Sequence, residues 1–582
     1  MLNDSQSIKK YFDKKMRQYH LCFNYSAILY SYRFQCFQQK CAEDPAIIEK
    51  LQTCQTRSSS GVMIVAIFTS PTPNGQQFSC RYDCFYCPNE PGQARSYLSL
   101  EPGVQRANQN DFDPILQFQS RVNTYQAKGH PFDKFEIIVL GGTWSSYPLD
   151  YRRDYMRDVY YAANTYPDYY AKKSMRLPLS LKEEIKINET AYCKIIGLTI
   201  ETRPDNITLS ELERLREYGV TRVQLGIQHL DDRILRRINR RCYTKDTVRA
   251  IKMLKENCFK VDIHIMPDLP QPYKPEYDTP EMIRKINNNE MEIKEDMVDW
   301  DFDMIEADKK MMLDFCHHPD YQADQWKIYP CETTPFTVIQ EWYKNGLYRP
   351  YGNQKSTEMT PLHNMLIETL AETPKWVRIN RIIRDIPSDY HQAGVRDTGG
   401  RDKIEMEMKK RGKMCQCIRC REIKNEKVME NDIEIKTLEY TASEGREIFI
   451  SAESNQHIGN KILGFLRLRF NSFEKEEKLV FKELNDCALI RELHVYGKVI
   501  PVNQGEPKGE PKGVTKGETK VDNHVQHRGV GTMLMNKAIE ICKNEEYKKV
   551  AVIAGVGVRN YYREKHGFID VEGKGYFQIR FL

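Results

Sequence analysis

Three cysteines stand within the eight residues Cys80-Arg81-Tyr82-Asp83-Cys84-Phe85-Tyr86-Cys87. A structural zinc site takes four ligands and a disulfide takes two. Three thiols at C-x3-C-x2-C therefore raise the question of what fills the remaining position. Iron–sulfur clusters are held by cysteine thiolates, and a four-iron cube bound by only three leaves one iron open. The amino and carboxylate groups of S-adenosylmethionine can chelate that iron. One electron from the cluster then cleaves the sulfonium bond and gives a 5′-deoxyadenosyl radical. The cofactor carries this chemistry, and the protein supplies position and exclusion of competing reactions. A zinc knuckle completed by a distant fourth ligand is the alternative.

Other residues could serve the same chemistry. Gly141-Gly142-Thr143 ends one apolar run, Glu201 and Arg203 end the next, and Gln228 ends a third. Adjacent glycines let backbone approach a ligand closely, and polar groups at successive strand ends could hold a methionine amino group, a ribose or a carboxylate. Solvated loop residues are the plain reading of any one of them alone. Far along the chain, Gln526-His527-Arg528-Gly529-Val530-Gly531 precedes a predicted helix. Free N–H groups and a positive dipole end would meet a pyrophosphate there. Q/R-x-x-G-x-G/A in this setting is how GNAT acetyltransferases hold coenzyme A. Tyr561 and Tyr562 fall where such folds often place a tyrosine near the thioester, although paired tyrosines on a helix more often pack.

The elements that must position these residues follow from hydrophobic pattern. Six Val- and Ile-rich runs at 62–69, 135–142, 194–201, 221–228, 260–267 and 325–330 read as buried strands. Helix-compatible stretches such as 210–219 and 245–258 separate them. This alternation predicts parallel strands with crossover helices, an α/β fold. Six units suit a partial (β/α) barrel, with a doubly wound sheet as the alternative. In a barrel, the loop carrying the three cysteines would lie at the catalytic mouth. The acidic, Asn-rich stretch 280–312 reads as an insertion in one crossover. The domain reading is a basic N-terminal segment at 1–58, a barrel at 59–374, a basic Cys-containing linker at 375–440 and a mixed α/β domain at 441–582. The last contains four Gly-x-x-Lys units at 505–520, inside a flexible loop at 503–523.

The 582 residues carry a net charge of +6, and the charge is unevenly placed. Residues 375–424 hold 14 Lys or Arg against 7 Asp or Glu, a candidate surface for an anionic partner. Lys9, Lys10, Lys14, Lys15 and Arg17 lie among aromatic residues near the start, as a polyanion-binding arm or an ordinary amphipathic helix would. No apolar run reaches the roughly 20 residues of a membrane helix, and the N-terminus lacks a secretory core. A reducing compartment, cytoplasm or nucleus, is expected, where 17 cysteines point to metals rather than a disulfide framework.

The segments RSSSGVMIVAIFTSP, DKFEIIVLGGTW, GLTIETRPD, GVTRVQLGIQHLDD, KVDIHIMPDLP, CQCIRCREI, LIRELHVYGKVIPV, QHRGVGTMLM and AGVGVRNYYRE together resemble the family of the catalytic subunit of Elongator, from about residue 57 to near the C-terminus. The resemblance implies a radical S-adenosylmethionine barrel joined to a GNAT domain. It implies 5-carboxymethylation of the wobble uridine in the tRNA anticodon stem-loop, with acetyl-CoA as two-carbon donor and Elongator-like subunits as partners. On that resemblance Cys80, Cys84 and Cys87 hold a 4Fe-4S cluster. From their places at the strand ends, Gly141, Gly142, Thr143, Glu201, Arg203 and Gln228 are the expected S-adenosylmethionine contacts. Lys134, Glu492, Leu493, His494, Val495, Gln526, His527, Arg528, Gly529, Gly531, Tyr561 and Tyr562 surround acetyl-CoA, with Glu492, Tyr561 and Tyr562 in catalytic roles. Cys415, Cys417 and Cys420 resemble the family's zinc segment, for which His391, Cys316 and His317 are candidate fourth ligands. One departure stands out. The family's gap between its first two cluster cysteines is wider and would put the first near Asn74, so Cys80 is the ligand here.

Two other functions compete. A protein lysine acetyltransferase would use the barrel only as scaffold and need no three-cysteine loop. A non-catalytic tRNA-binding protein would need no glycine-rich turn.

Overall fold

The computed structural model describes residues 5–19, 24–53, 60–78, 80–353, 359–384, 386–396, 399–424, 428, 430–472, 479–497 and 529–582. The expected loop at 503–523, together with Gln526, His527 and Arg528, lies outside them.

Seven strands form one sheet in sequence order: β1 (Met63–Phe68), β2 (Lys134–Leu140), β3 (Lys194–Thr202), β4 (Arg222–Gln228), β5 (Lys260–Ile265), β6 (Gln325–Ile328) and β7 (Arg378–Ile382). Each adjacent pair is parallel. All six apolar runs read from the sequence become β1 to β6. Their apolar side chains meet the crossover helices in one core, where Ile137, Ile200, Val223 and Ile263 are fully buried. β1 and β7 are the two edges, so this is a partial barrel. The 280–312 stretch falls in the β5–β6 crossover. It contributes the helix Pro280–Asn287, whose Ile283 and Ile286 form a small core with Tyr273 and Met297.

Two boundaries move. β7 lies beyond residue 374, in the stretch read as linker, and pairs with β6. Its sequence RINRI interrupts its two isoleucines with Arg and Asn, so it lacks the continuous apolar run of a strand buried on both faces. The second sheet also starts before residue 441, with β8 (Ile433–Ala442). As an edge strand it exposes alternate residues, and Glu434 and Lys436 break the apolar signal.

β9 (Gly445–Ser454), β10 (Ile462–Phe470), β11 (Cys487–Val495), β12 (Lys549–Val552), β13 (Ile569–Asp570) and β14 (Gln578–Phe581) complete that sheet in the order β13-β14-β12-β11-β10-β9-β8. Only β11 and β12 run parallel. Their pairing ends at Ile490 opposite Val552, while β11 runs on to Val495. The sheet therefore opens between them.

The second sheet seats on the end of the barrel where strands begin. Arg491 grips Asp324, just before β6, with bonds of 2.8 and 2.6 Å, and also donates to Glu447 at 2.7 Å. Lys255 lies 3.3 Å from Glu447, and Arg469 donates to it at 3.2 Å. Arg467 donates to the Asp324 carbonyl at 3.2 Å. All six side chains are buried. Close approach helps to fix the seam: a Cβ on Gly555 would fall 2.0 Å from the Ile196 carbonyl oxygen of β3. At the N-terminus, Arg33 in the helix Tyr25–Gln39 anchors to the barrel through the His130 carbonyl at 2.7 Å.

Removing one partner from a buried ion pair strands the other, at about 3–5 kcal/mol. Asp324→Ala should lose that much stability, measured by urea unfolding of the full chain. Burial would raise the Glu447 carboxyl, but Arg491, Lys255 and Arg469 hold it at about 2, against about 4.3 unfolded. A depressed carboxyl stabilises fully above its unfolded value and loses that contribution as pH falls towards the folded one. Wild-type urea midpoints should therefore drop below about pH 5, and Glu447→Gln should start lower and fall less steeply.

Candidate active site

The three-cysteine loop follows β1 and lies over the ends of the neighbouring strands. Cys80 Sγ donates to Thr143 Oγ1 at 3.5 Å. Cys84 is buried, and its sulfur accepts from Arg203 at 3.6 Å and Arg240 at 3.5 Å. Arg203 is itself held by Asp205 at 2.9 Å and stacks on Tyr82, 3.5 Å from the ring centre. Burial pushes the Cys87 thiol up, against the pull of Arg95. The three sulfurs do not meet within 4.8 Å as ligands of one ion would. In a four-iron cluster the thiolates bind different irons, so they need not converge on one point. Paired guanidinium groups suit a sulfur that carries charge when metal-bound.

Beside the loop, Gly141 and Gly142 have φ of 132° and 89°. A Cβ on Gly141 would lie 1.8 Å from Thr69 Oγ1, so only glycine fits this shelf. Gln228 ends β4 with φ of 77°, and its buried Oε1 has no hydrogen-bond partner. Glu201 accepts from Tyr97 at 2.9 Å, and burial raises its carboxyl. An unpartnered amide oxygen at the end of β4 and a glycine shelf at the end of β2 fit a polar ligand such as S-adenosylmethionine laid across the strand ends.

A cavity of about 650 Å³ runs from this mouth through the barrel to the second sheet, within the usual range of ligand sites. Tyr86, Glu201 and Gln228 line one end; Phe465, Glu492, His494 and Tyr496 line the other. Glu492 Oε2 accepts from Arg467 at 2.9 Å. Burial would raise its carboxyl, but Lys260, Arg467 and His494 lower it. His494 Nε2 meets the Ser60 carbonyl at 2.9 Å.

The opposite face of β11 serves the glycine turn. Val495 lies 3.7 Å from the position of a Cβ on Gly531, at the start of the helix Val530–Asn544, and Leu493 packs against the same core. Gly529 caps that helix with φ of 77°. Tyr561 Oη would lie 2.8 Å from a Cβ on Gly531, and the residue is 37% exposed, so Tyr561 borders the turn. Tyr562 is buried against Phe568 in the second core, a packing position. The opening between β11 and β12, the glycine turn and Tyr561 form a setting that fits an acyl-coenzyme A. Lys134 opens β2 at the seam end, outside the cavity lining, and burial lowers its ammonium.

The second cysteine cluster is tight. Cys415, Cys417 and Cys420 have sulfurs within 4.8 Å of one another. Hydrogen bonds from Cys415 and Cys420, with Arg401 nearby, hold Cys417 well below the usual thiol range. That donor set fits zinc. Among the described residues no fourth ligand completes it at that distance. Cys316 is buried in the barrel core, and His317 lies 3.6 Å from Glu372. Glu405 Oε1 stands 3.9 Å from Cys420 Sγ.

Sequence reading passed over Arg240, His264, Lys327 and Asn380, of which the last three line the cavity. Their signal is polar residues at every second place in apolar runs, as in KVDIHI, which marks one strand face.

Family models match three stretches: the Radical SAM superfamily at 77–271, the Radical_SAM C-terminal domain at 323–410 and the Acetyltransferase (GNAT) family at 506–568. The tRNA uridine(34) acetyltransferase of Methanocaldococcus infernus is 33% identical over 90% of this chain and 86% of its own length. Elongator complex protein 3 of Homo sapiens is 31% identical over 89% and 84%. The solved structure of the Methanocaldococcus infernus Elp3 with an N-terminal deletion superposes with a TM-score of 0.65 at 30% identity, covering 90% of this chain and 100% of that one.

Anaerobic reconstitution with iron and sulfide should give a broad visible absorbance that Cys84→Ala abolishes. Separately, about one zinc per chain should be found by elemental analysis and lost in Cys417→Ser, with the iron chromophore retained.

Proposed function

This chain belongs to the family of the tRNA uridine(34) acetyltransferases and Elongator complex protein 3, and we propose that it converts the wobble uridine of tRNA to 5-carboxymethyluridine. The reading is carried by one observation: a single cavity joins the three-cysteine mouth to the barrel-facing side of β11. The cavity brings Glu492 within reach of the radical mouth, while the glycine turn packs on the other face of the same strand, so β11 stands between the two chemistries.

When bound, the cluster with S-adenosylmethionine supplies a 5′-deoxyadenosyl radical, and acetyl-CoA supplies the two-carbon unit. The chain's own residues bind, orient and handle protons. Cys80, Cys84 and Cys87 are the cluster ligands, with Arg203 and Arg240 settling charge at Cys84. The Gly141–Gly142 shelf, Glu201 and Gln228 orient S-adenosylmethionine. Gly529 and Gly531 lead the helix that receives the coenzyme A phosphates, and Tyr561 borders the thioester. Lys260 and Arg467 favour ionised Glu492. With Oε2 bound to Arg467, Glu492 Oε1 is the base that takes a proton from water as the thioester is hydrolysed to the carboxylate. Cys415, Cys417 and Cys420 hold zinc in a structural role.

The basic stretch at 375–424 becomes intelligible on this reading. Arg378, Arg381, Arg384 and Arg419 line the cavity on its β7 side, where phosphates of an anticodon loop would approach. Neutralising phosphates makes binding salt-sensitive. Assembly with Elongator-like subunits and residence in cytoplasm or nucleus belong to the same proposal.

The reconstituted full chain, given tRNA, S-adenosylmethionine, reductant and acetyl-CoA, should add carboxymethyl to the wobble uridine, read by mass spectrometry of digested tRNA. Glu492→Gln should lower the rate by about 10²–10⁴, the worth of a general base, while leaving 5′-deoxyadenosine formation intact. Unmodified uridine with a fully loaded enzyme would falsify the reading. Acetylated protein lysine without tRNA, or tRNA binding without acetyl-CoA turnover, would replace it.

A further inference from the structure

The barrel interior has an unusual division. Inward positions of closed (β/α) barrels are mostly filled by bulky apolar side chains. Here the β1–β2 wall is mainly apolar, with Ile64, Ala66, Phe68 and Ile138 and one acid, Glu136, which pairs with Arg222, whereas β4 to β7 present Gln224, His264, Lys327 and Asn380. Enzymes that act on a base extrude it, cover its faces with apolar side chains and read its edge by hydrogen bonds. An apolar wall facing a polar one is built for that task.

The polar wall has a definite pattern. His264 and Lys327 are register partners on β5 and β6, so their side chains are neighbours. His264 Nδ1 lies 3.5 Å from Glu201 Oε1, a contact that favours the Nδ1–H tautomer. Its Nε2 is buried, has no hydrogen-bond partner and is left as an acceptor. Burial, with Lys327 and Arg384 nearby, keeps the imidazole neutral. Lys327 Nζ donates to Gln224 Oε1 at 2.9 Å, and an ammonium has two further protons. A donor next to an acceptor complements the O4 and N3–H of uracil. Cytosine presents an amino group and a bare N3 and meets the wrong partner at both places.

Resting on the function proposed above, we infer that His264 and Lys327 read the Watson–Crick edge of the extruded wobble uracil inside the barrel. His264 Nε2 accepts from N3–H and Lys327 Nζ donates to O4. They are the specificity-determining residues that select uracil over cytosine.

A tRNA carrying 5-fluorouridine at the wobble position tests this without cluster or turnover. On binding the full-length chain, its fluorine resonance should move. His264→Phe and Lys327→Met should bind the tRNA within about twofold, because phosphates dominate affinity, yet leave the resonance at its free position. Modification should fall by about tenfold or more, the worth of a lost base-edge hydrogen bond. His264→Gln, which restores an acceptor, should recover part of both signals, as a merely structural role would not. A wobble 5-fluorocytidine should bind without shifting. An unmoved resonance in the bound wild-type complex overturns the inference and leaves the function standing, as would two variants that shift and modify like wild type. A wild-type chain that does not bind tRNA takes the function and the inference down together.

Discussion

The carboxylate of Asp324 decides how the two halves of the molecule meet. It sits just before β6, fully buried, and Arg491 of the second sheet grips it with two bonds. A greasy interface could slide by a fraction of a side chain at little cost. A buried carboxylate facing a guanidinium cannot, because any shift leaves desolvated charge unmatched. Glu447, Lys255, Arg469 and Arg467 extend the constraint over the seam. Glu492 is held by the same Arg467, so the orientation of the acid at the cavity's lower end is tied to the docking of the domains.

The cavity follows from that docking and from an unclosed sheet. Seven strands leave edges at β1 and β7, and the interior is not sealed into a packed core. Polar side chains there are partly satisfied by one another: Asn380 donates to Gln325 at 2.7 Å, and Gln224 to Asp262 at 2.9 Å. The unpartnered atoms at Gln228 and His264 are costs of burial that a bound ligand removes. Where the two ends of the cavity meet different elements, they also meet different chemistry: guanidinium and thiol above, carboxylate and imidazole below.

Much of this was legible in the chain. β1 to β6 are continuous Val- and Ile-rich runs, and a strand buried on both faces has no other way to look. The cysteine loop and the glycine turn are dense local patterns. β7 and β8 escaped because strands that are polar on one face resemble linker when charge density is high. That Tyr561 borders the glycine turn while Tyr562 is buried against Phe568 escaped because adjacent residues on a helix differ by a rotation that only the packed neighbours define. His264 and Lys327 escaped for the opposite reason: within KVDIHI and QWKI they look like interruptions of a hydrophobic run, and only the curvature of the sheet turns that face into the wall of a chamber.

The contact at Gly555 constrains domain exchange. With a Cβ there falling 2.0 Å from the Ile196 carbonyl, an acetyltransferase module carrying any side chain at that point could not seat on this barrel without moving backbone. The two halves look like separate modules by sequence, yet they cannot be shuffled with unrelated counterparts. A chimaera of this barrel with another acetyltransferase would have to carry the glycine and the arginines of the seam together.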